Sequence, residues 1–383
     1  MVNRVVLNET SYFGRGAREK LGYEIKRRGL KKVLLVTDYT LIESNVSQMI
    51  NDVLEKNGLT FFVFYNVKPN PTIKNVQDGL MFAQINNVDC IVAVGGGSVI
   101  DTAKAISIIM TNPEHSSVVS LDGVVETRNK ALPMFAIPTT SGTAAEVTIN
   151  YVITNEDQMK KMVCVDANDI PVCSIIDPDL MQTMPQFIAA TTGMDALTHA
   201  MEGYITKQAW LIPDMFHINA MALIYKNLEK AANQKDRLAV EKMAYAQYIA
   251  GMGFSNAGLG IVHSMAHSLG SFFEVPHGHA NAIMLPHVMR FNGKVCPDLF
   301  RNMGKAFGLN MENLSDEEAV EKIVNAIEDL NKRLNIPTSL KEIGIPFEML
   351  PTLAAQAIND ICTAGNPREV TEEDLINIYK EAF

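Results

Sequence analysis

Residues 90–98, CIVAVGGGS, pass directly from a run of apolar and β-branched side chains into three glycines and a serine. A short apolar run that ends at a turn signal is typical of a strand buried on both faces of a sheet. The pattern then becomes helical and includes Asp101 and Lys104. A strand, a glycine turn and a helix in this order predict a parallel sheet covered by helices.

The same alternation of strand-like and helical segments extends over the first half of the chain. It predicts further strands over 32–37, 61–65, 134–137 and 174–176, and a helix over 41–54. Gly, Pro, Asn or Asp residues flank the strand-like runs, as expected where strands end. The glycines at 95–97 do not match the G-x-G-x-x-G fingerprint, so we expect a Rossmann-like α/β domain without the ordinary dinucleotide motif.

The pattern changes after Pro185, where Ala, Met, Leu and Lys dominate and apolar residues recur at helical spacing. Helices are predicted over 189–204, 215–232, 240–252, 317–334, 351–360 and 371–382, the last with Thr371 as its N-cap. The sequence therefore predicts an α/β domain over 1–183 followed by an all-α domain over 184–383.

Composition limits the class of protein further. The chain has 383 residues, of which 47% are hydrophobic and 20% charged, as in a folded globular protein. Its formal charge of −10 disfavours nucleic acid or anionic lipid as partners. The five cysteines form no Cys-x-x-Cys motif, and no apolar run approaches the length of a membrane span. We therefore expect a cytoplasmic protein that binds neither membranes nor nucleic acid.

The glycine turn offers a place for phosphate. Backbone N–H groups at 95–98 can approach a ligand closely, and the following helix directs its unpaired N–H groups and the positive end of its dipole to the same place. The alternative is a plain glycine turn in which Ser98 caps the helix and Asp101 completes a loose capping box. This segment does not decide between the two interpretations.

Two other strand ends carry polar groups. Asp38 follows the first predicted strand, where a carboxylate can accept hydrogen bonds from an adenosine ribose and repel a 2′-phosphate, which would favour NAD over NADP. Taken alone, Asp38 is better explained as the cap of the next helix. Residues 138–143, PTTSGT, add hydroxyl and amide groups after another strand. Because ligands bind at the carboxyl ends of parallel strands, the three loops together favour a nucleotide site.

Histidines cluster in the second half. Asp195 and His199 are four residues apart in a helical segment, as are His263 and His267, so each pair projects from one face of its helix. His277 lies in a Pro-His-Gly segment. One carboxylate and up to three imidazoles suit Fe(II), Zn(II), Co(II) or Mn(II). Spacing leaves open which histidines are ligands, and His267 could be either a ligand or a proton carrier.

Several of these segments belong to one recognisable set. They are 260–270 (GIVHSMAHSLG), 276–278 (PHG), 95–98 (GGGS) with Asp101 and Lys104, 193–199 (GMDALTH), and 366–368 (NPR). In this combination, which extends over essentially the whole chain, the sequence resembles the iron-dependent (group III) alcohol dehydrogenases. Segments 8–10 (NET), 144–151 (AAEVTINY) and 251–256 (GMGFSN) resemble a branch that interconverts lactaldehyde and propane-1,2-diol.

The resemblance implies roles for individual residues. The metal ligands would be Asp195, His199, His263 and His277, with His267 beside the metal as a proton relay and Fe(II) as the expected ion, although Zn(II) fits the same ligands. The NAD contacts would be Asp38, Asn70, Gly96, Gly97, Ser98, Asp101, Thr139, Thr140, Thr143, Val152 and Lys161. Asn150 and Phe254 would line a substrate pocket, although packing is the simpler role for both. The expected arrangement is an amino-terminal NAD-binding domain and a carboxyl-terminal metal-binding catalytic domain, with the site in the cleft between them.

The implied activity is NAD-linked reduction of lactaldehyde and oxidation of propane-1,2-diol. Related small alcohols, such as 1,3-propanediol, ethanol or butanol, are alternatives. A lyase similar to dehydroquinate synthase is a further alternative, which the lack of a basic cluster in the second domain disfavours because its substrate is phosphorylated. The resemblance also implies a homodimer in which the segment before Gly14 pairs across subunits.

Overall fold

The computed structural model describes residues 2–383, and the chain divides into two compact units between Met184 and Pro185. Within residues 2–184, the first unit contains nine strands: β1 (Thr10–Phe13), β2 (Lys32–Val36), β3 (Thr60–Phe64), β4 (Cys90–Gly95), β5 (Gly123–Val124), β6 (Met134–Pro138), β7 (Asn150–Asn155), β8 (Lys160–Val165) and β9 (Cys173–Ile176). Its helices are α1 (Leu21–Arg27), α2 (Tyr39–Glu43), α3 (Gln48–Lys56), α4 (Ile73–Asn86) and α5 (Gly97–Thr111).

Six of these strands form one sheet in the order β1-β9-β6-β4-β2-β3. All pairings in it are parallel. The register places Val36 beside Ala93, and Gly95 beside Pro138. The carboxyl ends of β2, β4 and β6 are therefore neighbours, and the three loops that follow them emerge at one edge of the sheet.

Burial on both faces explains the unbroken apolar runs. Val33 and Leu35 on β2 pack into a core with residues of α1 and α3, whereas Leu34 and Val36 pack into a second core with α4 and α5. Side chains alternate between the two faces of a strand. A strand covered by helices on both sides thus needs apolar residues at every position.

A smaller sheet has the order β5-β8-β7, in which β7 and β8 are antiparallel. This hairpin was not among the predicted strands. The burial of β7 alternates from residue to residue, but its sequence does not alternate apolar and polar residues, and the available signal was the β-branched run Val152, Ile153 and Thr154. The strand β1 at the edge of the larger sheet was also missed.

The predicted helix over 41–54 is wrong as a continuous element. The chain forms α2 and α3 instead, and Asn45 between them has a φ of 59°. Asn tolerates this left-handed conformation better than most residues other than Gly. The apolar spacing continued across the break because Leu41 of α2 packs against the same core as Ile50 and Leu54 of α3.

The second unit is helical: α6 (Gln186–Ile205), α7 (Leu211–Gln234), α8 (Arg237–Phe254), α9 (Ile261–Phe273), α10 (His277–Gly293), α11 (Pro297–Phe307), α12 (Asp316–Arg333), α13 (Leu350–Ala357) and α14 (Glu372–Glu381). The predicted fold class, an α/β part followed by an all-α part, is confirmed. Thr371 caps α14 as predicted. The predicted helix 351–360 ends early, at Ala357, and Asp360 instead caps a short 3₁₀ turn.

The helix α6 lies at the centre of the second unit. It packs against α7, α8 and α10, and its residues from Gly193 to Ile205 are all buried. Polar side chains on a helix that is buried on every face need hydrogen-bonding or charged partners, because burying them unpaired costs free energy. Among residues 2–383, no helix combines the length and apolar character needed to cross a membrane.

His217 on α7 is a buried imidazole without a hydrogen bond. Neither ring nitrogen has a hydrogen-bonding partner within residues 2–383. A Cβ added at Gly203 or Gly253 would lie 2.4 or 2.3 Å from its Nε2, so the ring fills the space that these two glycines leave. Burial, with a smaller effect of His199, lowers the pKa of His217 to about 3.

We predict that His217→Leu makes the protein less sensitive to mild acid. The unfolded chain takes up a proton here as the pH falls below about 6.5, while the folded chain does not, so folding stability is lost from there toward pH 3. The unfolding free energy of the wild type falls between pH 7 and pH 5. In the variant this fall should be smaller by about 2 kcal/mol. Urea titrations at both pH values measure this decrease. Met221→Leu, one turn along α7, should keep the wild-type dependence; an unchanged dependence in His217→Leu would contradict the assignment.

Candidate metal centre and dinucleotide loops

Four side chains of the second unit converge on one point: Asp195, His199, His263 and His277. One ligand atom from each lies within 4.8 Å of all the others. The Oδ1 of Asp195 is 3.5 Å from Nε2 of His277, 3.8 Å from Nε2 of His199 and 3.9 Å from Nε2 of His263. The helix α6 supplies the first two residues one turn apart, α9 supplies His263, and α10 begins at His277. The structure therefore brings together the four residues that the family resemblance implies as metal ligands.

The set has the chemistry for a divalent cation, and the distances from Asp195 fit such an ion. Two ligands that each lie about 2.1 Å from an ion can be at most about 4.2 Å apart, and all three distances from Asp195 meet this limit. One carboxylate and three imidazoles, without a thiolate, suit Fe(II) or Zn(II). The Nδ2 of Asn281 lies 2.7 Å from Oδ1 of Asp195, 3.2 Å from Nε2 of His277 and 3.4 Å from Nε2 of His263. The acceptor atoms thus face a common centre.

The environment keeps His263 uncharged. Its pKa is well below the ordinary value because the ring is buried, and the neighbouring His199, His277 and His267 lower it further. Neutral imidazole is the form that binds a metal ion. Aromatic packing supports the same group, since the ring of Phe254 stacks on that of His199 with centroids 4.1 Å apart.

His267 lies beside these four residues but outside their group. Its Nδ1 is 2.8 Å from Oδ2 of Asp360, and its ring stacks on that of His277 at 5.4 Å. Burial alone would raise the pKa of Asp360, but His267 and the backbone N–H of Cys362 outweigh it and lower that pKa. His267 and Asp360 thus form a hydrogen-bonded pair next to the candidate metal centre.

The first unit brings the predicted phosphate loop to the start of a helix. Gly96 is the N-cap of α5, and no side chain caps this helix. The capping alternative for Ser98 is therefore wrong, because Ser98 lies inside the first turn. A Cβ at Gly96 would be 3.3 Å from Thr140, and one at Gly97 would be 2.7 Å from Thr143. The loops after β4 and β6 are therefore in contact, and the helix N-terminus keeps N–H groups that suit a phosphate.

Asp38 caps α2, since its Oδ1 accepts a hydrogen bond of 2.9 Å from the N–H of Leu41. The prediction that Asp38 caps the next helix is thus confirmed, and its contact with an adenosine ribose stays a prediction. Burial raises the pKa of Asp38, against the effect of the backbone N–H groups of Leu41 and Thr40.

The remaining predicted NAD contacts lie around the β7–β8 hairpin and the sheet edge. The Nζ of Lys161 is 2.8 Å from Oδ1 of Asn70. The Oδ2 of Asp101 accepts a hydrogen bond of 3.0 Å from the N–H of Val152. Burial raises the pKa of Asp101 to about 7, although Lys104, Val152 and Lys161 act in the opposite direction. Thr139 is buried at the end of β6, where its N–H donates to Gly95.

The two predicted pocket residues belong to different units. Asn150 begins β7, and its carbonyl accepts a hydrogen bond of 2.9 Å from Nζ of the buried Lys104. Phe254 ends α8 and is 4% exposed, because its ring covers His199. Its packing role is therefore visible, and its role toward substrate stays a prediction.

Sequence reasoning missed three polar residues at the metal centre: Glu202, Asn281 and Asp360. Glu202 follows His199 by three residues, and Asn281 follows His277 by four, so helical spacing could have suggested both. Asp360 is 93 residues from His267, and no local pattern connects them.

Both halves of the chain match known protein families. The family described as "Iron-containing alcohol dehydrogenase" matches residues 8–178, and "Fe-containing alcohol dehydrogenase family, C-terminal" matches residues 189–383. The chain belongs to the iron-containing alcohol dehydrogenase family. The family resemblance stated from the sequence is confirmed, and this iron-containing alcohol dehydrogenase is an oxidoreductase.

Individual relatives agree with this assignment. The lactaldehyde reductase of Escherichia coli (strain K12) is 50% identical over 384 residues, covering 100% of both chains. The NAD-dependent methanol dehydrogenase of Bacillus methanolicus is 39% identical, covering 97% of this chain and 98% of its own. The crystal structure of a 1,3-propanediol oxidoreductase superposes with a TM-score of 0.97 at 38% identity, covering 100% of both chains.

The close approach of α10 to α6 generates a prediction. A Cβ at Gly278 would lie 2.4 Å from the carbonyl oxygen of Thr191 and 3.3 Å from Cβ of Asp195. We predict that Gly278→Ala pushes the start of α10, and with it His277, away from Asp195. The expected cost is about 1–3 kcal/mol of unfolding free energy, together with weaker binding of Fe(II) in a chelator competition.

Gly344→Ala is the control for this variant. Gly344 has a φ of 83° and no neighbour within 4 Å of an added Cβ, so alanine there strains the backbone without crowding any side chain. It should lower stability and leave the affinity for Fe(II) unchanged. Equal affinity for Fe(II) in Gly278→Ala and the wild type would show that His277 does not depend on this contact.

Proposed function

We propose that this iron-containing alcohol dehydrogenase reduces lactaldehyde to propane-1,2-diol with NADH, and catalyses the reverse oxidation with NAD. The observation that carries the proposal is the convergence of Asp195 and three histidines next to a separate His267–Asp360 pair. The full-length match to a lactaldehyde reductase supports the choice of substrate.

Asp195, His199, His263 and His277 would hold Fe(II), and Zn(II) suits the same atoms. When bound, the ion supplies a Lewis acid for the substrate oxygen, and NAD accepts or donates the hydride. Asp195 neutralises only one charge of a divalent cation, while the three imidazoles neutralise none. These four ligands alone would leave a bound divalent ion with a positive charge, which favours a substrate oxygen that carries negative charge.

His267 would move the proton. Because Asp360 accepts the hydrogen bond from Nδ1 of His267, the Nε2 atom is the one that exchanges a proton with substrate, directly or through water. The carboxylate of Asp360 stabilises the ring when it is positively charged and holds its orientation. In the direction of reduction His267 donates this proton, and in oxidation it accepts the hydroxyl proton.

The first unit would bind NAD at the edge formed by β2, β4 and β6. The N–H groups at Gly96, Gly97 and Ser98 would hold the diphosphate, and Asp38 the adenosine ribose. Thr139, Thr140 and Thr143 would contact NAD from the loop after β6, with Asn70, Asp101, Val152 and Lys161 beside them. Support comes from the uncapped N-terminus of α5 and from the contact of Gly96 and Gly97 with the threonine loop.

Asn150 and Phe254 would line the pocket and restrict it to small aldehydes and alcohols. We further propose that the enzyme is cytoplasmic and a homodimer. The position of β1 at the edge of the parallel sheet supports pairing of the amino-terminal segments of two copies.

The proposal is tested by following NADH oxidation with anaerobically purified protein and measuring its iron content. Lactaldehyde should give the highest kcat/KM in a series that also contains propionaldehyde, 3-hydroxypropanal and glycolaldehyde. One methylene more or less is worth about 1–3 kcal/mol in an apolar pocket, so differences of at least roughly tenfold are expected. A higher value for 3-hydroxypropanal would move the assignment to 1,3-propanediol, and no steady consumption of NADH would refute dehydrogenase activity.

We predict that His277→Ala removes both bound iron and turnover. Loss of an outer contact to a metal ligand already lowers affinity about 10–100-fold, so loss of the ligand should lower it by more than roughly 100-fold. Chelator competition and NADH oxidation measure the two effects. His287→Gln on the same helix is the control and should keep its iron. A His277→Ala protein with stoichiometric iron and full rate would exclude this residue as a ligand.

We predict that Asp38→Gly improves the use of NADPH. Removing the carboxylate removes its repulsion of a 2′-phosphate and should raise kcat/KM for NADPH roughly tenfold, a change of about 1.4 kcal/mol. The comparison of NADH and NADPH at a fixed aldehyde concentration gives the ratio. Asp78→Ala, an exposed acid on α4, controls for net charge. Equal use of both coenzymes by the wild type would refute the role of Asp38.

A further inference from the structure

Glu202 is a buried carboxylate on the same face of α6 as two of the proposed ligands. It follows Asp195 by seven residues and His199 by three, which is helical spacing. Its side chain is 1% exposed and faces the start of α9, the helix that contains His263. A charge at such a depth needs strong compensating contacts.

Those contacts all come from the first turn of α9. The N–H of Val262 donates to Oε1 of Glu202 at 2.7 Å, and the N–H of His263 lies 3.4 Å from Oε2. The preceding residue, Gly260, is the N-cap of α9 and provides no side-chain cap, and a Cβ there would lie 2.8 Å from Oε1 of Glu202. Glu202 therefore takes the place of a capping residue from a different helix.

The same carboxylate also binds the imidazole of His263. Oε2 of Glu202 lies 2.7 Å from Nδ1 of His263. Both oxygens of Glu202 also accept from backbone N–H groups, which suits the ionised form of the carboxyl group. An ionised carboxylate can only accept, so Nδ1 of His263 then bears the proton and Nε2 keeps its lone pair. That Nε2 atom faces Oδ1 of Asp195 at 3.9 Å, which is the direction that metal binding requires.

We propose that Glu202 is a positioning residue that fixes the tautomer and orientation of His263 while it caps α9. This inference rests on the proposed metal-dependent function. One group thereby couples the affinity for the metal to the packing of α9 on α6. A carboxylate behind a metal-binding histidine typically accounts for a 10–100-fold difference in metal affinity.

Glu202→Gln separates this role from simple capping. The amide oxygen of Gln can still accept from the N–H of Val262, whereas its NH₂ group would face Nδ1 of His263. That arrangement favours the tautomer with the proton on Nε2, which cannot bind a metal. Capping alone predicts unchanged metal affinity in this variant.

The experiment uses the full chain, stripped of metal and titrated anaerobically with Fe(II) against a chromophoric chelator. Glu202→Gln should bind Fe(II) about 10–100-fold more weakly than the wild type. Glu24→Gln is the matched control, because it changes an equally buried carboxylate in the first unit, where its partners include Tyr12 and Arg27; it should keep the wild-type affinity. Equal affinity of Glu202→Gln and the wild type would overturn the inference.

A second measurement does not depend on a variant that folds. Nitrogen-15 NMR of histidine-labelled wild-type protein, free of metal, should show the proton of His263 on Nδ1. A proton on Nε2 would overturn the inference on its own. A wild-type chain that binds no Fe(II), Zn(II), Co(II) or Mn(II) would refute the proposed function and the inference together, whereas normal binding with an unaffected Glu202→Gln refutes only the inference.

Discussion

A buried carboxylate surrounded by imidazole nitrogens is the constraint on which the second unit depends. Asp195 is 1% exposed, and three ring nitrogens lie within 4 Å of its Oδ1. Burying these polar groups costs free energy unless a partner compensates. A divalent cation would satisfy all four at once, which no apolar packing could do. The surrounding helices hold these four side chains in one place, although burying them costs free energy.

Most of the support comes from α6. It bears Asp195, His199 and Glu202 on one face, so a single helix positions two proposed ligands and the partner of a third. The helix α9 docks through its first turn, and α10 approaches so closely at Gly278 that no side chain fits there. In the first unit, the backbone rather than side chains shapes the predicted NAD site. Gly96 and Gly97 lack side chains, so the loop at 138–143 can reach the start of α5. One site is thus built mainly from side chains and the other mainly from main chain.

Local patterns were sufficient for much of this architecture. The apolar run at 90–94 predicted a strand because both of its faces are covered, and the four-residue spacings predicted which residues share a helical face. The same patterns missed the break at Asn45, because the apolar spacing continues on both sides of it. They also missed Asp360, since only the tertiary fold brings it to His267. Asp38 shows a third limit: one carboxylate can cap a helix and contact a ligand, and the sequence does not separate the two roles.

The exposure of His277 has a consequence for how an ion would enter and leave. Its side chain is 34% exposed, whereas those of Asp195, His199 and His263 are at most 5% exposed. His277 is also the first residue of α10, and its imidazole is the proposed ligand that solvent reaches most easily. Exchange of the ion with solvent would therefore begin by detachment of this one imidazole, and the residence time of the ion would follow the motion of one side chain rather than the unfolding of the whole unit.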